Sequence, residues 1–521
     1  LKLPGLLILF LLKSMIKLIT FNQLEVVLKR ANVTVYISIT LTLVLSVLFT
    51  TLESARLTVV KTHLIDTSSI CMDSLFGCYC KELYEDYGIF AINPFDIDME
   101  ATLVALIDDN ILPQNAFYES NFNFLTAKLN NVELEDIIYV TDNDGKYFSS
   151  QILAYMKYKE LENITQTVLD NSNVIGEDIY DFNSSDSIPN MGDSNLDYSL
   201  LENDTIEDRR DCLDISDEEA KTLTDNICTT VSHNLRNELI FLLICEPTTI
   251  SKTEIEKINL PSVTVQLNEE TSSINDGYIK DPSFITPERI WFSEYITSHF
   301  CDYTRPSDDS MLSYEIEYMI NGSSSDETNL LSTCTKLALM RASLNASHIV
   351  TDSRKFTAVK DLAMKSTVFI PIPGIEQFTE LMIISAWSTA EGIIDVRDLL
   401  SKKKVPLIKD TSTWTLSLDN IAHLNPNTPS NNSGDSGLDY TGYLQLLLVA
   451  QSELALRFRT MDIIQLNICL NYNETFRLSN CIYGVTANFD YSTRNIFLNF
   501  NYLTNHKDTT SYNFTQSYHY D

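Results

Sequence analysis

Three carboxylates in the second half of the chain form the clearest set of residues for acid–base chemistry. Glu391, Asp395 and Asp398 lie within an apolar stretch, residues 375–400, whose spacing predicts a helix. Glu391 and Asp395 are four residues apart, so they share a helix face and could act as a carboxylate pair in proton transfer. Carboxylates in this setting more often face solvent or accept hydrogen bonds from neighbouring elements. We therefore predict no catalytic residue and no enzymatic activity.

The remaining motifs give no cofactor or metal site. The seven histidines are scattered, and the chain contains no HExxH, P-loop, GxGxxG or GxSxG sequence. Residues 142–145 read DNDG, as in part of a calcium loop, but Val140 and Gln151 would then occupy the first and last ligand positions. This segment predicts a hairpin turn instead. We predict no bound cofactor and no metal ligand.

The cysteines admit several interpretations. There are ten, and none forms a CxxC pair, so neither a thioredoxin-like nor a zinc-ribbon site is predicted. Cys71, Cys334 and Cys469 lie in apolar helical stretches, which favours buried thiols. An even number of cysteines on an exported protein also permits disulfides, so both interpretations stay open at this point.

The charge distribution predicts a membrane protein. The net charge of −34 argues against a nucleic-acid partner, since binding to phosphate requires an excess of Lys and Arg. Residues 1–30 nevertheless carry five bases and one acid. A basic head, an apolar stretch and an acidic body are the order typical of a protein held in a membrane by its N-terminal end.

The apolar stretch begins at Val33 and ends at Thr51 and contains no charged residue. Its 19 residues approach the length of about 20 that spans a bilayer as a helix, so we predict a transmembrane helix whose partner is the lipid bilayer. A buried core element is the alternative. Lys29 and Arg30 precede the span, which predicts a single-pass cell-membrane protein with a cytoplasmic N-terminus and an extracytoplasmic body. The apolar run at residues 3–12 could be signal-like, interfacial, a translated upstream extension or a second span.

The pattern beyond the span predicts an α+β fold. Leu57, Val60, Leu64 and Cys71 follow a helical spacing, so the transmembrane helix should continue as a stalk that packs on the body or, alternatively, as a filament-type assembly helix. Alternation at residues 312–320 predicts a strand. Period-two runs at 483–489, 496–502 and 512–520 predict a C-terminal antiparallel β-meander.

These patterns divide the chain into eight segments. Residues 170–219 carry 16 acids against two bases, which predicts a disordered insertion. The predicted segments are a basic and apolar N-terminal segment (1–32), the transmembrane helix (33–51), a helical stalk (52–90), a mixed α/β segment (91–165), the acidic insertion (166–235), a helix and docking loop (236–285), a mainly helical domain with one strand (286–470) and the β-meander (471–521).

Several sequence stretches together resemble an uncharacterised family of single-pass membrane proteins from Gram-positive anaerobes, encoded beside genes of tight-adherence (Tad-type) pilus systems. The stretches run in order along nearly the whole chain outside the acidic insertion. They are VTVY at 33–36, LESAR at 52–56, MDSLF at 72–76, EDYGIF at 85–90, YMKYK at 155–159, EYMING at 317–322, DVRDLL at 395–400, WTLSL at 414–418 and NCIYG at 480–484.

The N-terminal helix is also similar in part to TadE-type pseudopilins, although Ala31 and Tyr36 stand where those proteins have Gly and Glu. The resemblance implies association with pilus or secretion-system subunits and assigns no catalytic residue. We therefore expect a pilus-associated structural or interaction component. A cell-surface binding module or a hydrolase with an unrecognised site is the alternative.

Overall fold

The computed structural model describes residues 31–111, 124–170, 216–233, 243, 250–264, 286–426, 428–497 and 509–520. The described residues confirm an α+β architecture with a long N-terminal helix, a helical middle and a C-terminal antiparallel sheet. The chain divides into two compact units. Unit 1 comprises Leu1–Cys78, Phe95–Ile137 and Val485–Tyr518, and unit 2 comprises Tyr79–Pro94, Ile138–Gly484 and His519–Asp521.

Unit 1 is organised around helix α1, Ala31–Phe76. The helix has 46 residues, so at about 1.5 Å per residue it is about 70 Å long. Hydroxyls in its apolar half bond back to the preceding turn, as from Thr42 Oγ1 to Ser38 O at 2.7 Å and from Thr50 Oγ1 to Ser46 O at 2.7 Å. These bonds satisfy the hydroxyl groups within the helix itself. A helix in an apolar surrounding needs such internal bonds, because no water is present to bond its polar groups.

The second half of α1 packs within unit 1, as predicted for a stalk on the body. Val60, Leu64, Cys71 and Leu75 are fully buried along one face. This half contacts helix α3, Met99–Asn110, and the sheet. One direct link is the 2.7 Å hydrogen bond between Ser68 Oγ and the Tyr491 hydroxyl.

The sheet has three strands in the order β1-β2-β3, with bounds Lys128–Tyr139, Ile482–Arg494 and Thr509–His519. The central strand β2 is buried along most of its length, since it has a neighbour on each side. An antiparallel sheet is confirmed. Among the described residues its third strand is β1, and the predicted run 496–502 is described only at its first two positions. Residues 496 and 497 form a turn whose amides bond to α1, and 498–502 lie outside the described residues.

Unit 2 is mainly helical. Its best-defined core is a group of long helices in which α9 and α11 share the most extensive contact, and α10 packs on α11. The described helices of this unit are α2 (Lys81–Tyr87), α4 (Asp142–Asp170), α5 (Asp217–His233), α6 (Pro261–Thr264), α7 (Pro287–His299), α8 (Glu315–Asn321), α9 (Asp326–Thr351), α10 (Ser353–Thr367), α11 (Ile375–Leu400), α12 (Tyr440–Val449) and α13 (Glu453–Asn471), with 3-10 helices at Leu418–His423 and Leu478–Asn480.

The predicted strand at 312–320 is wrong, because this segment contains helix α8. The alternation of apolar residues with Glu315 and Glu317 suggested one solvated face. Both glutamates are instead buried, so α8 is enclosed on all sides and carries no exposed face to reveal its period.

Two further predictions need correction. Residues 217–233, assigned above to the acidic insertion, form helix α5, which buries Ala220, Ile227 and Val231. The DNDG segment is not a hairpin turn: it follows β1 and lies within the bounds of α4 at its start, where Asn143, Asp144 and Gly145 all have positive φ. The N-terminal segment 1–30 and most of the acidic insertion, 171–215, lie outside the described residues.

Candidate functional site

The first half of α1 is an exposed apolar surface of unit 1. The window of highest hydropathy in this helix averages 2.1 and has none of its surface buried in the fold. Val35, Leu41 and Val44 are each more than half exposed. Such a surface is rare on a protein surrounded by water. This helix is a candidate membrane span by its length and composition. A signal sequence near the N-terminus shares both features.

A buried ion pair lies directly after this surface. Arg56 Nη2 is 2.7 Å from Glu53 Oε1, and both side chains are buried. Glu53 Oε2 accepts a hydrogen bond from Phe497 N at 2.9 Å, and Arg56 donates to Arg494 O at 2.8 Å and Phe124 O at 3.0 Å. These bonds join α1 to the end of β2. The sequence analysis includes both residues only as part of the LESAR stretch at 52–56, because their backbone partners are distant in sequence.

The predicted carboxylate pair occurs in unit 2, where α11 brings Glu391 and Asp395 to one buried face. Glu391 accepts hydrogen bonds from the amides of Thr415 and Leu416, both at 2.8 Å, and from Lys409 Nζ. Asp395 Oδ2 accepts from Arg341 Nε at 2.9 Å. It also accepts from Asn345 Nδ2 at 3.0 Å, and Lys409 Nζ lies 2.5 Å from Asp395 Oδ1.

This ion network is closed. The side chains of Glu391, Asp395 and Arg341 have no exposed surface, and Lys409 has 1%. Burial raises the pKa of Glu391, and the Lys409 ammonium opposes that shift. Two carboxylates and two cations that satisfy one another in this way stabilise a particular packing, and they offer no access to a substrate.

A histidine lies near the network without joining it. His348 packs 5.3 Å from the Trp414 ring, and its Nε2 is 3.1 Å from Lys355 Nζ. Burial, followed by the Lys355 charge, lowers the pKa of His348. Among the described residues, His348 therefore stands apart from the carboxylate pair, which is buried and bonded to Lys409 and Arg341.

Asp398, the third predicted carboxylate, borders a pocket of about 350 Å³. Its Oδ1 is 3.1 Å from Lys403 Nζ, and its Oδ2 accepts from Ser430 Oγ. Arg397 reaches across to the carbonyls of Asn425 and Pro426, at 3.3 and 2.8 Å. The volume falls at the lower end of the range of about 300–1,000 Å³ for small-molecule sites. Its lining combines charged, hydroxyl and apolar groups and includes Leu243, Tyr303, Leu400, Ser401 and Thr428.

A second group of buried acids was missed by sequence reasoning because it surrounds α8. Glu317 Oε1 accepts from the Tyr440 hydroxyl at 2.8 Å and from Tyr303 N at 3.0 Å. Glu315 accepts from Cys301 N at 2.8 Å. Burial, together with the nearby Asp302 charge, raises the pKa of Glu317 to about 8. This shift favours the protonated form of Glu317 near neutral pH, and in that form the group carries less negative charge than its composition suggests.

The described cysteines are thiols. Eight are described, and no disulfide joins any of them; Cys212 and Cys245 lie outside the described residues. Burial raises the pKa of Cys301 and of Cys334, which makes both thiols poor nucleophiles. Within the described ranges, no three His, Cys, Asp or Glu side chains are placed to hold a metal ion.

Comparison with known proteins identifies one family. A model described as a family of unknown function, DUF5702, matches residues 217–493, which is just over half of the chain. The match covers most of unit 2 and strand β2 and starts after α1. No curated protein and no solved structure matches the chain.

Proposed function

The chain belongs to the DUF5702 family of unknown function, and we propose that it is a membrane-anchored, extracytoplasmic component of a Tad-like pilus or secretion apparatus, with a structural and not a catalytic role. The observation that carries the proposal is the bare apolar half of α1, which continues without a break into a half packed on a sheet. One helix thus connects an apolar surface suited to lipid with a folded body that would lie outside the bilayer.

The composition of the exposed half supports contact with other helices. Ser38, Thr42, Ser46 and Thr50 follow one another at intervals of four residues and therefore lie on one face. Small side chains on one face let transmembrane helices approach closely. The hydroxyls of Thr42, Ser46 and Thr50 are already bonded within the helix, so these groups stay satisfied when another helix packs on this face. The resemblance to TadE-type pseudopilins supports pilus subunits as the helical partners.

The proposed mechanism assigns one task to each half of α1. The apolar half holds the protein in the bilayer and packs on partner helices through its small-residue face. The second half, fixed by the Glu53–Arg56 ion pair, transmits that position to unit 1. The extracytoplasmic body then contacts pilin or envelope components. The closed network around Glu391 and Asp395 supports the non-enzymatic assignment.

Co-purification from membranes tests this proposal. The full chain and Thr42→Leu/Ser46→Leu, which fills the small-residue face, would be captured from cells expressing a Tad-type system. We expect pilus or secretion subunits with the wild type and several-fold fewer with this variant. Val44→Ile/Leu48→Ile changes the opposite face and should behave as the wild type. If the wild type enriches no such subunit beyond an unrelated single-pass protein, the proposal fails.

A cell-surface binding module is the alternative, and the pocket beside Asp398 favours it. Hydroxyl and charged groups next to Tyr303 suit a small ligand rich in hydroxyls. Free monosaccharides would then raise the thermal midpoint of the wild type and leave that of Ser401→Phe, which fills the pocket, unchanged. No shift with any sugar would remove this alternative.

A further inference from the structure

The closed ion network of unit 2 also holds the groups needed to form a covalent bond. Lys409 Nζ is 2.5 Å from Asp395 Oδ1 and bonds to Glu391 Oε1. A primary amine and a carboxylic acid combine to an amide when one water leaves. In water both groups are ionised and do not combine, because an ammonium has no free electron pair and a carboxylate resists attack. The reaction therefore requires surroundings that favour the neutral forms.

Burial of the network provides such surroundings. The side chains of Asp395 and Glu391 have no exposed surface, and that of Lys409 has 1%. Lys409 Nζ also lies 5.9 Å from the centre of the Trp414 ring, which packs edge-on against Trp387. Removal from water disfavours ionised forms, so it promotes transfer of a proton from the ammonium to a carboxylate. Burial raises the pKa of Glu391, which suits this carboxylate to accept that proton.

The contacts of Asp395 suit it to be the carboxyl group that the amine attacks. Its Oδ2 accepts from Arg341 Nε at 2.9 Å and from Asn345 Nδ2 at 3.0 Å, distances at which donors stabilise a developing oxyanion. Among the described residues its Oδ1 accepts no hydrogen bond, and its contact is the ion pair with Lys409. The distance from Nζ to the carboxyl carbon exceeds 2.5 Å by at most one C–O bond, close to the separation of about 3–3.5 Å of a reactive pair.

Glu391 is held as a proton carrier and not as the reacting carboxyl group. Its Oε1 accepts from Thr415 N and its Oε2 from Leu416 N, both at 2.8 Å. Both oxygens are therefore engaged, and neither is free to depart as water. The bond to Lys409 Nζ lets Glu391 take protons from the nitrogen. Asp395 follows one turn later on the same face of α11, so the oxygen that receives these protons is close by.

We propose that Lys409 and Asp395 condense spontaneously to an isopeptide bond, with Glu391 as the proton carrier. Starting from the ammonium and the carboxylate, Nζ forms a bond to Cγ of Asp395 and the Cγ–Oδ1 bond breaks. The two protons that leave Nζ pass through Glu391 to Oδ1, which departs as water, and Oδ2 remains as the amide oxygen. One ammonium and one carboxylate disappear together, so Glu391 and Arg341 remain as a balanced pair of buried charges.

The bond would tie α11 covalently to the segment that follows it. The site excludes water, which protects the amide from hydrolysis. A cross-link also lowers the conformational entropy of the unfolded chain, so it stabilises the fold around the network. The reaction occurs once in each chain and takes no external substrate. It is therefore compatible with a structural role, and it does not depend on the membrane anchor.

Peptide mapping of the full chain, purified in detergent, tests the inference. Trypsin does not cleave after an acylated lysine, so the bond predicts a branched peptide that joins residues 366–397 to residues 405–457 and lacks one water. Fragment ions should place the link between Asp395 and Lys409. Lys409→Arg keeps the cation and removes the nucleophile, so the intact variant should show its sequence mass difference plus the mass of the retained water.

Two further variants separate the proton carrier from the surrounding charges. Glu391→Gln should abolish the loss of water, whereas Lys404→Arg, at an exposed position, should lose water as the wild type does. Far-UV circular dichroism would show which variants are folded, and the wild type decides the question if Glu391→Gln is not. A folded wild-type chain that yields only the unmodified peptide 405–409 overturns the inference. A link from Lys409 to Glu391, or a link in folded Glu391→Gln, overturns it as well.

Discussion

At the scale of single residues, the buried ion network of unit 2 brings together charges from distant parts of the chain. Lys409 bonds both Glu391 and Asp395, and Arg341 approaches the same pair from α9. Glu317 is neutralised differently, by retaining its proton. The two carboxylates on one helix face could be predicted from the spacing in α11. Their cationic partners could not, because Arg341 lies 54 residues from Asp395 in sequence.

Removing the Lys409 charge should be strongly destabilising. Lys409→Met leaves Glu391 buried without its cation, and breaking a buried pair in this way costs about 3–5 kcal/mol of unfolding free energy. Denaturant unfolding of the detergent-solubilised chain would measure the loss. Lys404→Met, at an exposed position, is the control and should stay within about 0.5 kcal/mol of the wild type. Equal stability of the two variants would show that the network contributes nothing.

Glu317 should make stability depend on pH. Its pKa of about 8 in the folded state exceeds the ordinary value of 4.5, so the folded chain holds a proton that the unfolded chain releases between these values. The unfolding free energy should therefore fall as pH rises through this window. Glu317→Gln removes the group and should flatten the decrease between pH 5 and pH 8, measured by denaturant unfolding. The exposed Glu327→Gln should keep the wild-type slope; a wild-type slope in Glu317→Gln would contradict the assignment.

At the scale of elements, close contact between α9 and α11 organises unit 2. Gly392 makes this contact possible, because a Cβ there would lie 2.9 Å from Ala338 O and 3.2 Å from Ala342 N. The glycine sits one residue from Glu391, so the approach of the two helices also brings Arg341 to the carboxylates. The packing of the helix pair and the ion network thus depend on the same contact.

Gly392→Ala should destabilise the protein although alanine favours helix formation by about 1 kcal/mol. The added methyl group would push α9 away from α11, and overpacking of this kind costs about 1–3 kcal/mol. Thermal unfolding would show the effect as a lower midpoint. Ser385→Ala, at an exposed position of the same helix, should leave the midpoint unchanged or raise it. A higher midpoint for Gly392→Ala would mean that the helices separate without penalty.

The sequence predicted elements with a clear period and failed where a long-range contact decided the structure. Helix α11 was predicted at 375–400 and is observed at these bounds, because its apolar periodicity and flanking prolines are local signals. Strand β1 pairs with β2 across more than 340 residues of sequence, as the 2.9 Å bond from Ser492 to Asn130 shows. No local pattern encodes that pairing. Helix α8 was mistaken for a strand because its glutamates are buried by tertiary contacts.

At the scale of the whole molecule, one helix carries both the candidate membrane span and a half that packs within unit 1. The exposed half of α1 contains no charged side chain, and the first charges after it, Glu53 and Arg56, are paired and buried in unit 1. The boundary between the apolar surface and the folded body therefore falls at a defined position of the helix. The span could be predicted from the length and composition of the apolar stretch. The pairing of Glu53 with Arg56, and the bonds that join this pair to the end of β2, required the structure.

The most direct test is extraction and surface labelling of the full chain in cells. The account predicts that the chain stays in the membrane pellet after alkaline carbonate extraction. It also predicts that Cys78, which is exposed just beyond α1, reacts with a membrane-impermeant maleimide on intact protoplasts, with the signal reduced in Cys78→Ser. Recovery of the chain in the soluble fraction, or reaction of Cys78 only after the membrane is permeabilised, would contradict it.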